Sequence, residues 1–273
     1  MEIQVILALA AVLLAAGAVV GVLAGLFGVG GGAISVPVLY ETFGIMGVSE
    51  DIAMPMAVGT SLCIIIPTSI QSARGHFLHG AVDMNLLRTW AFPVLAGVLI
   101  GAVIAKFANP WVFQLAFVLV ATTTATRLLL GGKNWRVAES LPARSVLSVY
   151  GAIVGFLSSL MGIGGGALSN LILSLHGYPI HRAIATSAGV GVLISIPGTI
   201  GYMIAGWGKP GLPPDALGFI SLLGFIFLVP TSLLTARIGV RFAHSLSKRR
   251  LEMLFGGFLL LVSLRFAFEL AGF

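Results

Sequence analysis

Long apolar runs alternate with short polar or glycine-rich segments along the whole chain. A helix needs about 20 predominantly apolar residues to cross the hydrocarbon core of a bilayer. Runs of about that length predict spanning helices at residues 3–27, 52–73, 86–107, 110–130, 181–205, 215–236 and 251–271. A shorter run covers 145–161, and two short apolar pieces, 33–45 and 167–176, each follow a glycine cluster. The pattern therefore predicts an all-α integral membrane protein.

The composition supports this prediction. Of the 273 residues, 58% are hydrophobic and only 9% are charged, whereas a soluble domain has roughly 25% charged residues. The net charge of +6 comes from loop Lys and Arg, as in most inner-membrane proteins, so we expect a lipid bilayer and no nucleic acid as partner. The first residues, Met1 to Gln4, lack the basic segment of a signal peptide. We expect a multi-pass protein of the inner membrane that keeps its first apolar run.

The glycine clusters indicate an internal duplication. Residues 26–35 read LFGVGGGAIS and residues 160–169 read LMGIGGGALS, which are 134 residues apart. This near-identity at about half the chain length is typical of a repeat. We therefore divide the one membrane domain into a first repeat, 1–137, and a second repeat, 138–273.

A second pair of segments supports the duplication. The segment AVGTS ending at Ser61 resembles AIATS ending at Ser187. Each is followed by a proline within the same apolar run, Pro67 or Pro197, which we expect to kink its helix.

Basic residues indicate how the repeats are oriented. If the chain crosses straight through each glycine cluster, the repeats are parallel. Seven basic residues then lie on each side of the membrane, and Arg265 lies within it. If the chain reverses there, each repeat is a re-entrant or discontinuous helix hairpin plus three transmembrane helices, and the repeats are inverted. Lys106 and Lys209 then lie outside, and twelve basic residues lie in the cytoplasm: Arg74, Arg88, Arg127, Lys133, Arg136, Arg144, Arg182, Arg237, Arg241, Lys248, Arg249 and Arg250. The positive-inside rule favours the inverted arrangement, with both termini outside.

Glycine clusters at bilayer depth predict a binding site. Backbone that is not helical in a membrane must be buried in protein or line a wet cavity. Helices that begin at Ala33 and Ala167 would direct free N–H groups and positive dipole ends at an anion. Close helix packing is the alternative explanation of the glycines. The candidate substrate-binding residues are Gly30, Gly31, Gly32, Ala33, Thr60, Ser61, Gly164, Gly165, Gly166, Ala167, Asn170, Thr186 and Ser187.

Charged residues add little to this candidate site. Gln71 and Arg74 follow the first GTS-type segment on the cytoplasmic side, where they are candidates for an entrance. No Asp or Glu falls at the centre of a predicted crossing, which argues against a proton relay built on carboxylates. An enzyme would need converging acids, bases or metal ligands. We therefore expect no enzymatic activity, no metal and no cofactor.

The duplicated motif resembles that of the TauE/SafE sulfite exporter family. LFGVGGG and LMGIGGG are each followed by a short apolar helix and a GTS- or ATS-type helix, and RGHFLHGAVD resembles the cytoplasmic loop of that family. The resemblance covers essentially the whole chain, and it implies export of small sulfur-containing anions such as sulfite or a sulfonate like sulfoacetate. The repeats are not identical, because Val36 and Pro37 correspond to Asn170 and Leu171. We therefore expect the two half-sites to contact the substrate differently.

The physics of such an export is simple. An inside-negative potential drives an anion outward by about 2.3 kcal/mol per charge per 100 mV, so a passive carrier could export it without a bound cation. We expect alternating access, in which one repeat rocks against the other around a midplane site. Proton-coupled uptake, an anion channel and a structural subunit without flux are the alternatives. The sequence also leaves open whether the chain forms a homodimer.

Overall fold

The computed structural model describes residues 3–27, 31–130 and 137–271, and these residues form an all-helical fold with one isolated β-bridge. The helices in chain order are α1 (Ile3–Phe27), α2 (Gly32–Ile45), α3 (Glu50–Leu78), α4 (Met84–Phe107), α5 (Pro110–Leu130), α6 (Arg144–Met161), α7 (Gly166–Leu175), α8 (Ile180–Ala205), α9 (Leu222–Ser245) and α10 (Lys248–Leu270). Within the described ranges, seven helices are long and apolar enough to cross a membrane: α3, α4, α5, α6, α8, α9 and α10. The prediction of an all-α chain compatible with a membrane is confirmed.

Helix α9 is displaced from its predicted span. We expected a helix over 215–236, but α9 begins at Leu222. The carboxylate of Asp215 accepts hydrogen bonds from the Ser221 hydroxyl (2.7 Å) and from the Leu223 N–H (3.1 Å). The Ser221 hydroxyl in turn accepts the N–H of Gly224 (2.9 Å), which is how a serine caps a helix. The prediction was wrong here because an unbroken apolar run does not mark the residue at which a helix begins.

Helices α3 and α8 lie against each other and run in opposite directions. Toward one end, a Cβ added at Gly59 would lie 3.0 Å from Cβ of Tyr202. Toward the other end, the hydroxyls of Ser69 and Ser195 are 3.5 Å apart. Residue numbers therefore rise along α3 while they fall along α8. These two helices are also the most buried of the seven.

Two further helix pairs, α1 with α9 and α4 with α6, run in the same direction. Gly17 lies against Thr231, and one turn later Gly21 lies against Thr235. An added side chain at either glycine would overlap the threonine hydroxyl, so the two backbones approach closely only because Cβ is missing. The glycines with such contacts at the two interfaces are Gly17, Gly21, Gly97, Gly101 and Gly155.

Helices α6 and α7 form a hairpin that returns the chain to the level at which α6 begins. The N–H of Val137, which precedes α6, donates to the carbonyl of Leu175 at the end of α7 (2.8 Å). The ring centroids of Tyr150, near the start of α6, and His176, just after α7, are 5.5 Å apart. The chain therefore reverses direction at the glycine cluster between the two helices.

Candidate substrate site

The two glycine clusters touch each other in the core. A Cβ added at Gly32 would come within 2.9 Å of Cα of Ile163 and 3.0 Å of the carbonyl oxygen of Gly162. Helices α2 and α7 both start at this meeting point. Their N-cap residues, Gly31 and Gly165, have φ angles of 82° and 72°, in the left-handed region that favours glycine. The structure thus brings together the described parts of both clusters; the predicted site residue Gly30 lies outside the described residues.

Ile65 of α3 fills the space between the clusters. A Cβ added at Gly32 would lie 2.8 Å from Cδ1 of Ile65, and one at Gly164 would lie 2.9 Å from its Cγ2. A Cβ at Gly165 would overlap Cδ1 of Ile194. Close packing, the alternative explanation, is therefore sufficient to explain these three glycines, and their assignment as substrate ligands stays a prediction.

Gly166 is different, because packing does not explain it. An added Cβ there would meet nothing within 4 Å in the described part of the chain. Gly166, Ala167 and Asn170 share one face of α7 and are only partly buried, whereas Ala33 at the start of α2 is 2% exposed. At the meeting point of the two clusters, which we call the glycine junction, the room for an added group is therefore at Gly166, the first residue of α7.

The start of α7 offers hydrogen-bond donors. A helix leaves the N–H groups of its first turn without an intrahelical acceptor, and the N-cap of α7, Gly165, has no side chain to accept them. The amide oxygen of Asn170 is buried and has no hydrogen-bond partner among the described residues. Because amide N and O atoms are assigned from their surroundings, the same position could present the NH₂ group to a ligand.

The two predicted threonines form matching contacts between distant parts of the chain. Thr60 accepts the N–H of Ser221 (3.0 Å), and Thr186 accepts the N–H of Asp83 (2.9 Å). Ser221 is the residue that caps α9, and Asp83 is the N-cap of α4. Each threonine therefore holds the start of a helix that belongs to the other predicted repeat. Their assignment as substrate ligands stays a prediction.

The two predicted serines also have partners. Ser61 donates to the carbonyl of Gly162 (2.8 Å) and so ties α3 to the second glycine cluster. Ser187 donates to the carbonyl of Ile184 in its own helix (2.9 Å), a common arrangement for serine in a helix. A role in substrate binding stays a prediction for both.

The contact at Asp83 includes a tyrosine. The Tyr178 hydroxyl donates to the Asp83 carboxylate (2.5 Å). Burial acts to raise the pKa of Asp83, but hydrogen bonds from Tyr178, Leu86 and Asn85 and the charge of Arg182 hold that pKa below its ordinary value. Burial, together with the hydrogen bond to Asp83, raises the pKa of Tyr178 to about 12. The lowered pKa of Asp83 stabilises the folded protein, and this stabilisation is lost only at acidic pH. The stabilisation linked to the raised pKa of Tyr178 is lost only at alkaline pH. The protonation states of the two residues are therefore unchanged around neutrality.

The remaining predicted residues are a polar pair and two prolines of α3 and α8. Gln71 and Arg74 are exposed near the end of α3. Helices α3 and α8 stay continuous through Pro67 and Pro197. An entrance at the first pair and kinks at the second stay predictions. Over the described ranges, no group of three or more His, Cys, Asp or Glu side chains could hold a metal ion.

A charged cluster joins α2 to α10 and was missed by sequence reasoning. The Arg265 guanidinium lies 3.4 Å from the Glu41 carboxylate and 3.2 Å from that of Glu269. The hydroxyl of Tyr40 donates to Glu269. The spacing of Arg265 and Glu269, four residues apart on a helix, was the signal that could have revealed this pair.

Ser158 was also missed. This α6 residue is 0% exposed, and its hydroxyl has no partner in the part of the chain that the structure describes. It lies beside the Gly165 turn, since a Cβ added there would be 3.6 Å from its Oγ. The only signal in the sequence was a polar pair, Ser158 and Ser159, within an apolar run.

A helical fold suited to a membrane, with two short helices that start from touching glycine turns in its core, defines a class: polytopic membrane proteins with discontinuous helices. Secondary transporters of this class bind substrates where such helices meet. The family model of the sulfite exporter TauE/SafE matches residues 13–266. The chain belongs to this family.

Curated relatives carry consistent names. A probable membrane transporter protein of Haemophilus influenzae is 34% identical over 91% of this chain and 94% of its own length. A probable membrane transporter protein of Methanocaldococcus jannaschii is 28% identical over 90% of this chain and 91% of its own. The probable membrane transporter protein YunE of Bacillus subtilis is 24% identical over 94% and 97%. No solved structure matches the chain.

Proposed function

We propose that the protein is a secondary transporter that exports small sulfur-containing anions, such as sulfite or a sulfonate like sulfoacetate, across the inner membrane. Membership of the sulfite exporter family supports the substrate class. One structural observation carries the proposal: α7 begins at the core junction with free space in front of Gly166. The first turn of a helix attracts anions, because its N–H groups are unpaired and its dipole is positive there.

The repeats are inverted in this proposal. Helices α3 and α8, which follow the two glycine clusters in the same order, run antiparallel, as a twofold axis in the membrane plane requires. The return of α7 to the start of α6 supports the same arrangement. Arg249 at the start of α10 donates to the carbonyls of Leu128 and Leu129 at the end of α5, so basic residues of both helix ends gather at one end of the bundle. This end is the cytoplasmic side in our proposal.

Transport then follows from voltage and from a site that opens alternately to each side. The membrane potential favours outward movement of an anion. In the described structure Ile65 lies against Gly32 and Gly164, between the two clusters, and our proposal takes this arrangement as the closed state. We propose that movement of α3 relative to the α6–α7 hairpin withdraws Ile65 and admits the anion to the start of α7.

Flux measurements on proteoliposomes at a clamped potential test this proposal. We expect voltage-driven flux of at least one of sulfite, thiosulfate, sulfoacetate and taurine, and little flux of chloride. Gly166→Leu should lower this flux by at least about tenfold, because it fills the space in front of the helix and blocks charge-assisted hydrogen bonds. Gly257→Leu is the matched control, since Gly257 is also a helical glycine whose added Cβ would meet no described atom within 4 Å. Equal flux in the two variants would contradict the site, and no flux of any sulfur anion would contradict the function.

Proton-coupled uptake of the same anions is a second candidate function. The cluster of Glu41, Arg265 and Glu269 supports it, because ionisable groups within membrane segments often mark proton or ion pathways. A pH gradient imposed at zero potential separates the two functions. Accumulation of sulfite that follows the pH gradient would favour uptake; accumulation that follows only the voltage would favour export.

A further inference from the structure

The glycine junction is unequal in polarity, although its two halves are similar in sequence. We infer that the second half alone binds the anion, and that the hydroxyls of Ser158 and Ser169 are the donors that select an oxyanion. The inference rests on the proposed transport of such anions. It adds Ser158, which no sequence motif identified, and it excludes the start of α2 as an equal half-site.

Ser158 points at the turn that starts α7. Its side chain is 0% exposed, and the described chain supplies no partner for its hydroxyl. The Oγ atom lies 3.6 Å from the position of a Cβ on Gly165. Most buried hydroxyls in proteins have a hydrogen-bond partner, so one without a partner needs an explanation. A bound ligand that accepts the hydroxyl proton is such an explanation.

Ser169 is a second buried serine near the turn that starts α7. It lies four residues after Gly165, hence on the same face of the chain as that turn. It is 0% exposed, and its hydroxyl too is without a partner as far as the described residues go. Two unpaired hydroxyls therefore flank one helix start.

The first half lacks this feature. Ser35, which corresponds to Ser169, donates to the carbonyl of Gly31 (2.9 Å) and is thus satisfied by its own helix. Ala24 corresponds to Ser158, and Val36 corresponds to Asn170. At two of these three positions the start of α2 therefore has an apolar side chain where the start of α7 has a polar one, and at the third position its hydroxyl is already paired.

The chemistry of these groups selects an oxyanion. Two hydroxyls and the first N–H groups of α7 all donate, and a group with several oxygens on one sulfur atom can accept from all of them at once. A halide has a single atom to share among the same donors. Loss of either hydroxyl should therefore weaken binding of the oxyanion more than binding of chloride.

The test uses the full-length protein and sulfite as the probe. Ser158→Ala and Ser169→Ala should each raise the KM for sulfite about tenfold, as expected for one hydrogen bond to a charged group, with maximal flux within about twofold of wild type. Ser35→Ala is the matched control, and its KM should stay within about twofold. In detergent without sulfite, Ser158→Ala should melt at or above the wild-type temperature, because it removes a hydroxyl that has no partner, and it should lose most of the stabilisation that sulfite gives to the wild type.

The outcomes separate this inference from the proposed function. Wild-type flux of sulfite, with the two variants indistinguishable from Ser35→Ala in KM and in stabilisation by sulfite, would overturn the inference alone. A lower melting temperature of Ser158→Ala without sulfite, with KM unchanged, would also overturn it by assigning the hydroxyl a structural role. If the wild type transports none of the sulfur anions, the proposed function itself fails.

Discussion

Two threonine hydroxyls connect helices that lie far apart in the sequence. Thr60 accepts the N–H of Ser221 at the start of α9, and Thr186 accepts the N–H of Asp83 at the start of α4. The first N–H groups of a helix need acceptors from outside the helix when they are buried. The same residue type therefore meets the same need at both places, which gives a structural reason for a threonine at each of them.

Replacement of Thr60 by valine tests this role. Thr60→Val keeps the shape of the side chain but leaves the buried N–H of Ser221 without its acceptor, which should lower the free energy of unfolding by about 1–3 kcal/mol. The melting temperature in detergent measures the effect. Thr68→Val is the control in the same helix, because Thr68 donates only to the carbonyl of Ile65, one turn back. Equal melting temperatures for the two variants, together with a loss of sulfite binding in Thr60→Val, would instead favour a direct ligand role.

The start of α7 combines two adjacent glycines that have different requirements. Gly165 has a φ angle of 72°, and its missing side chain leaves room for Ile194 and Val190. Gly166 is the first helical residue and has open space around it. A single glycine run therefore contains Gly165, which the backbone requires, and Gly166, which neither backbone conformation nor close packing requires and which our proposal places at the anion site.

Alanine substitutions should separate these requirements. Gly165→Ala should destabilise the protein by at least about 1–2 kcal/mol, because the left-handed backbone and the contact with Ile194 both oppose a Cβ. Gly166→Ala should be neutral or stabilising by up to about 1 kcal/mol, since alanine favours a helix more than glycine does. Thermal unfolding in detergent compares them. A variant Gly166→Ala that is as unstable as Gly165→Ala would mean that the space at Gly166 is not open.

At the scale of the whole molecule, the most extensive contacts between helices of the described ranges are those of α1 with α9 and of α4 with α6. Each joins the first helix of one predicted repeat to the fourth helix of the other. Movement of residues 1–137 as one body against 138–273 would have to break both interfaces, where glycines allow the backbones to touch. In the alternating access that we propose, each moving body therefore contains one of these mixed helix pairs and does not coincide with one repeat.

The location of two loops tests the inverted arrangement. Inverted repeats place Gly80, between α3 and α4, on the cytoplasmic side and Gly208, between α8 and α9, outside; parallel repeats place both on one side. Gly80→Cys and Gly208→Cys in a Cys63→Ser background form a matched pair, because both glycines are exposed, have positive φ and have no described atom within 4 Å of an added Cβ. In intact cells, a membrane-impermeant thiol reagent should label the cysteine at 208 and should reach that at 80 only after permeabilisation. Labelling of both from one side would refute the inversion.

The sequence predicted the helices well and the details of the site less well. Long apolar runs identified the helical segments because hydropathy is a property of many residues together. The start of α9 was misplaced because it depends on two side chains, Asp215 and Ser221, within an apolar stretch. The glycine clusters were correctly expected to begin helices α2 and α7. Which glycines pack and which face open space depends on Ile65 and Ile194, and these contacts arise only when distant segments meet.

The pairing of α1 with α9 has a consequence for how the protein is made. The hydroxyl of Thr235 donates to the carbonyl of Ala18 across 217 residues of chain. At a synthesis rate of about 5–20 residues per second, α1 waits roughly 10–40 s in the membrane before α9 leaves the ribosome. Throughout that interval the small-residue surface around Gly17 and Gly21 faces lipid or the insertion machinery. The nascent chain therefore carries this surface unpaired until α9 has been synthesised, and α1 can take its place in the fold only after that point.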